Sequence, residues 1–210
     1  MNGKSFRLEI TNLDPHWYVL VLTFLTTLGL AVTTAGAFLF ATTTTGPELT
    51  VTIRLYLAVL CVLCLAAGVA LTKVGLLAHK ASDLVIAFMG YLMVAWFTGT
   101  SLESISTLLF PHAVNVTATL LTATFFLLVM GCSSSLLPNS LRSPKSAIVG
   151  SASMLILGIA AQSYISIIEA TLASALVGYI HFFRWGNAMK MPWTWRNAID
   201  SVLRIYPFLG

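Results

Sequence analysis

The chain has 210 residues, 58% of them hydrophobic and only 9% charged. A water-soluble domain carries about 25% charged residues, so this composition excludes a soluble globule. The net charge of +4 calls for no nucleic-acid partner, because the distribution of the basic residues accounts for it as membrane orientation.

A helix needs about 20 mainly apolar residues to cross about 30 Å of hydrocarbon. Five runs meet that length and a sixth meets it with a polar interruption: Trp17 to Ala41, Leu55 to Thr72, Leu84 to Leu109, Ala113 to Cys132, Ser146 to Ile165 and Ile167 to Phe183. The first begins too late and runs too long for a cleavable signal peptide, and reads as a first span. A shorter closing stretch, Trp193 to Leu209, is broken by Pro207. The expected fold is all-α, a single membrane helical bundle over residues 1–210. Gly29, Gly36, Gly68, Gly90, Gly158 and Gly178 are placed to let its helices pack closely.

The connections are short. Thr42 to Arg54 is Thr-rich and contains Gly46-Pro47, and Ser133 to Lys145 contains Pro138-Asn139 and Ser143-Pro144, all turn signals. No connection is large enough for a soluble domain, so any chemistry belongs to the bundle. Asn115-Val116-Thr117 is a glycosylation sequon at the mouth of the fourth span, too close to the bilayer for efficient use. Cys61 and Cys64 form a C-x-x-C inside the second run, and Cys132 ends the fourth. Surrounded by Val, Leu and Ala, they read as small buried residues and not as redox or metal ligands. There is no G-x-S-x-G, H-E-x-x-H or P-loop, and no span carries a lysine placed to hold retinal. Neither an enzyme, a cofactor nor a metal site is expected.

Lys and Arg residues fall unevenly. Lys4, Arg7, Lys73, Lys80, Arg142, Lys145, Arg184, Lys190, Arg196 and Arg204 share one set of ends, and the other set holds Arg54 alone. The positive-inside bias puts the N-terminus, the second and fourth loops and the C-terminal segment in the cytoplasm.

Ionisable residues at membrane depth persist where they face a protein interior, an ion path or a paired charge. Asp200 is the foremost candidate. Arg196 and Arg204 lie four residues to either side of it, on one helix face. That triplet reads equally well as the solvated face of a helix lying on the membrane surface or as a seal across an ion path with one arginine as a removable counter-ion. Glu103, among Thr98, Thr100, Ser101, Ser104, Ser106 and Thr107, either lines a water-accessible cavity or stands solvated near the headgroups. Glu169 reads as a solvated acid at a helix start. Arg184 reads as a residue reaching for the interface. His181 reads either as a hydrogen-bonded structural histidine or as a proton-responsive partner for an acid.

From the third span to the C-terminus these segments resemble the Bax-inhibitor (transmembrane BAX inhibitor motif) family. Phe97-Thr98-Gly99-Thr100-Ser101-Leu102-Glu103-Ser104-Ile105 looks like its glycine, Leu and small-residue turn. Thr122-Ala123-Thr124-Phe125-Phe126 is similar to its Thr-Ala-x-x-Phe, and Arg142-Ser143 with Gly150 resembles its Arg-Ser before a glycine. Asn197-Ala198-Ile199-Asp200 resembles the His-x-Leu-Asp of its last helix, which places Asp200 on a functional aspartate. The resemblance implies six spanning helices around a central C-terminal seventh. It also implies a pH-modulated calcium leak in an intracellular or bacterial membrane, with calcium permeant and not structural, and membrane-protein partners in cell-death control. A viral copy acting in the endoplasmic reticulum or Golgi is one source such a divergent chain suits, and a bacterial inner-membrane protein is another.

In that family two aspartates share a proton at the cytoplasmic end of the pore. Here Arg184-Trp185-Gly186-Asn187 stands where the first is expected, with Trp185 in its place. A salt bridge from Asp200 to Arg184 or Arg196 is the expected substitute. Two other classes stay open: a six-span small-solute transporter of the acetate type, whose Asn-Pro-Ala-Pro hallmark is absent, and a non-conducting adaptor that binds partners through helix faces.

Overall fold

The computed structural model describes residues 13–44, 51–77, 81–109, 115–136, 152, 156 and 167–205. All but two residues of the expected fifth span, the cations Lys4, Arg7, Lys80, Arg142 and Lys145, the Arg142-Ser143 and Gly150 motifs, and Pro207 lie outside these residues. Among the described residues all regular structure is helical. Among the same residues, four helices are long and apolar enough to cross a membrane, as in an integral multi-pass protein.

Helix α1 (Pro15–Thr44) starts where Asp14 accepts the His16 backbone N–H at 2.9 Å. Proline at the first helical position lacks an N–H that would be orphaned there in any case. Helix α2 (Val51–Leu77) continues past the expected end at Thr72, because Lys73 is a good helix former that can extend its ammonium outward. Helices α3 (Ala81–Leu109) and α4 (Val116–Leu136) follow. Helix α5 (Ile167–Tyr179) passes without a break into a π-helical turn (Ile180–Trp185) and a closing α-turn (Gly186–Ala188). The short helix α6 (Trp195–Leu203) is capped by Thr194, whose hydroxyl accepts the Asn197 N–H at 3.2 Å.

Among the described residues, the helix at the centre of the packing is α1 and not the C-terminal one. It lies against α3, α4 and α6, and 67% of its spanning window is buried, against 17% for α2. Where α1 meets α3 the backbones touch. A Cβ at Gly99 would collide with the Thr33 carbonyl, and one at Gly36 with that of Trp96. Gly68 and Gly90 likewise bring α2 and α3 close. Tyr91 adds a hydrogen bond from its hydroxyl to the Leu25 carbonyl at 2.8 Å.

At nine residues α6 is about 14 Å long, less than half the hydrocarbon thickness. Only one side of it is apolar: Ala198, Ile199, Val202 and Leu203 are buried, while Arg196, Asn197, Asp200 and Arg204 occupy the remainder. A central helix must be apolar or paired all round. This one instead caps the start of α1, where Leu13 N–H donates to the Trp193 carbonyl at 2.7 Å. On the same end, His16 Nδ1 donates to the Ser135 carbonyl in the last turn of α4 at 2.6 Å.

Candidate functional site

Asp200 lies on the outward shoulder of α6, 34% exposed in its side chain, with its carboxylate 3.0 Å from Arg204 Nε. The expected partners were Arg184 or Arg196, and the ion pair that forms is with Arg204. An acid placed four residues N-terminal to its base is the better-oriented arrangement on a helix, and Arg204 at the C-cap also meets the negative helix end. Arg184 is engaged elsewhere: its Nε donates to the Tyr179 hydroxyl at 2.7 Å and its guanidinium stacks over that ring at 5.2 Å. Arg196 is half-buried one turn before Asp200.

The pair closes one side of a small cleft between α6 and α2, lined by Val69, Thr72, Lys73, Leu76, Asp200, Leu203 and Arg204. The α2 contributions follow the spacing of one helix face. Thr72 is buried and returns its hydroxyl to the Gly68 carbonyl at 2.7 Å, whereas Lys73 is exposed.

Behind Asp200, α6 is held on α1 by a residue the sequence did not single out. Tyr18 is fully buried, and its hydroxyl donates to the Ala188 carbonyl at 3.4 Å and touches the Ser201 side chain. A buried tyrosine hydroxyl needs a partner, and a Tyr one turn inside the first span, beside Asp14 and His16, is the signal that was available. The same hydroxyl thus joins α1, the end of the α5 stretch and α6.

The π-turn carries the other expected candidates. His181 is buried, with Nε2 3.2 Å from Ser134 Oγ of α4 and its ring 5.7 Å from that of Trp185. Trp185, standing where the family resemblance led us to look for an aspartate, is 1% exposed and donates Nε1–H to Thr26 Oγ1 at 3.2 Å. The position is occupied by packed core. Inserting a π-turn rotates the helix beyond it, and such turns recur at functional sites.

Glu103 is not part of this assembly. Asp83 packs on Gly75 near the α6 end, and Glu103 lies twenty residues further along α3, about 30 Å away by helical rise. It is half-buried, and three hydroxyls around it turn back on their own helix, Ser101 and Thr100 to the Phe97 carbonyl and Thr107 to that of Glu103, with Thr100 also reaching Cys61 Sγ of α2 at 3.4 Å. Thr98, just over one turn earlier, is buried, and among the described residues its hydroxyl has no hydrogen-bond partner. Glu169 departs from the expected solvated acid: it is 8% exposed and accepts the Asn115 N–H at 2.7 Å. It therefore ties the start of α4 to the start of α5. The sequon residue Asn115 caps α4, its Oδ1 accepting the Ala118 N–H at 2.9 Å.

Asp200, Arg204, Lys73 and Tyr18 thus form one group at the end where α2 stops and α1 begins, His181 and Arg184 lie on the helix leading to it, and Glu103 is remote. What such a group can do is hold a short helix in place through charge and one buried hydroxyl, or release it. No known family model, no curated protein and no solved structure matches this chain.

Proposed function

We propose that the chain is a Bax-inhibitor-like calcium leak channel of an intracellular or bacterial membrane, closed at its basic end by α6. On this reading six helices cross the bilayer, residues 146–165 supply the fifth crossing, and the basic end is cytoplasmic. The observation that carries the proposal is the Asp200–Arg204 pair on a short helix clamped across the start of α1. A half-exposed pair at this spacing contributes only about 0.5 kcal/mol, which suits a closure that must open. The resemblance around Asn197-Ala198-Ile199-Asp200 supports calcium as the permeant ion and control of cell death as the setting. Because Trp185 replaces the first aspartate, closure here depends on a salt bridge with a weaker response to pH than a shared proton gives.

The test is calcium efflux from liposomes containing the purified full chain, at mildly acidic and mildly alkaline pH. The parent should leak slowly at both. Asp200→Asn and Arg204→Gln should leak faster. An Asp200→Asn chain that leaks no more than the parent removes the salt-bridge closure. No leak from any variant removes the channel, and solute uptake and partner binding then become the readings to pursue.

A further inference from the structure

The cleft beside Asp200 has more positive charge than its one carboxylate neutralises. Arg204 is paired with Asp200, and among the described residues Lys73 is engaged by no carboxylate, although its side chain lines the same cleft. Of the other acids described at this end, Asp83 lies where α3 packs on Gly75 and is already engaged, and Asp14 accepts the His16 N–H at the start of α1. The cleft holds about 30 Å³, room for about two water-sized atoms. Its walls, Val69, Leu76 and Leu203, are apolar.

What adjoins it decides the ligand. On α2, the neighbours Leu71, Val74 and Leu77 are exposed, and further back so are Leu60 and Leu63. This is the most outward-facing of the four long helices, so its apolar surface continues from the cleft along the membrane. The basic end of such a bundle is the one that meets anionic lipid.

The geometry points to a binding site for the phosphate of an anionic phospholipid, its inner oxygens between Lys73 and Arg204 and its acyl chains along the outer face of α2. The phosphate competes with Asp200 for the Arg204 guanidinium, and a phosphate accepts a bidentate guanidinium at least as well as a carboxylate does. Binding does not depend on the channel reading; the consequence for closure does.

The test is native mass spectrometry of the full chain in neutral detergent, titrated with dioctanoyl phosphatidate, dioctanoyl phosphatidylcholine or inorganic phosphate. Phosphatidate should bind saturably and the other two should not. Lys73→Gln and Arg204→Gln should each weaken it about fivefold, and Lys73→Arg should restore it. Asp200→Asn should tighten it, a gain that misfolding cannot produce. Equal binding of phosphatidylcholine, or phosphatidate retained in full by the Lys73→Gln, Arg204→Gln double variant, overturns the site. Inorganic phosphate that displaces phosphatidate at matching concentration overturns the lipid as its source. These readouts need no calcium gradient, so they stand or fall apart from the leak.

Discussion

Helices α1 and α2 are close in length and equally apolar, yet one is the heart of the bundle and the other its outer wall. The difference lies in which residues interrupt the apolar run. In α1 they are threonines. Thr23, Thr26, Thr27, Thr33 and Thr34 are all buried, and four of them bond to a carbonyl one turn back in their own helix. In α2 the long aliphatic side chains Val59, Leu60, Val62 and Leu63 face outward. Inside a bilayer, burying a leucine against protein gains little over leaving it in lipid, and close packing of small and hydroxyl-bearing faces is what selects the interior helix. Apolarity places a helix in the membrane, and its small polar residues place it in the protein.

That contrast predicts a gradient of mutational cost running from α1 outward. The largest effect should come from Trp185→Ala, which empties a fully buried site against Thr26 of α1 and should lower unfolding stability in detergent by about 3–5 kcal/mol. Gly99→Leu, which drives a side chain into the α1 backbone, should cost about 3 kcal/mol; a variant melting with the parent would mean that the two helices do not meet there. Tyr18→Phe keeps the ring and loses the hydroxyl, so its cost should fall to about 1 kcal/mol, accompanied by a faster calcium leak as α6 loosens. Asp200→Asn, on the rim of the cleft between α6 and α2, should change stability by less than about 1 kcal/mol while raising the leak. Leu63→Ala, on the outer face of α2, should leave melting unchanged within about 0.5 kcal/mol. A large loss at Leu63 would show a partner on that face and erase the contrast.

The long helices α1 to α4 were readable because length and apolarity are local properties, though most of their ends moved by a few residues, as at Asp14, where a capping side chain starts α1, and at Lys73, which α2 runs past. The site was readable in part. Asp200 stood out as a charge in an apolar run, but its partner was sought in Arg184 or Arg196, and helix polarity favours Arg204, one turn further on. Glu169 was misjudged because its partner is a backbone N–H fifty-four residues earlier in the chain, which no local pattern encodes. Tyr18 was passed over for the same reason: its partners, Ala188 and Ser201, come from the far end of the chain. The central place of α1 was hidden as well, since a threonine that bonds to its own helix looks in sequence like any other weak helix former.

Those threonines also bear on how the protein is made. Helix α1 leaves the ribosome before any of the helices that will cover it, so for a time it must stand in lipid with its interior face bare. A hydroxyl without an acceptor there would be costly. Because Thr23, Thr27, Thr33 and Thr34 satisfy themselves within α1, the helix can wait as a stable single span until α3 and α4 emerge and then exchange lipid contact for helix contact without breaking a hydrogen bond.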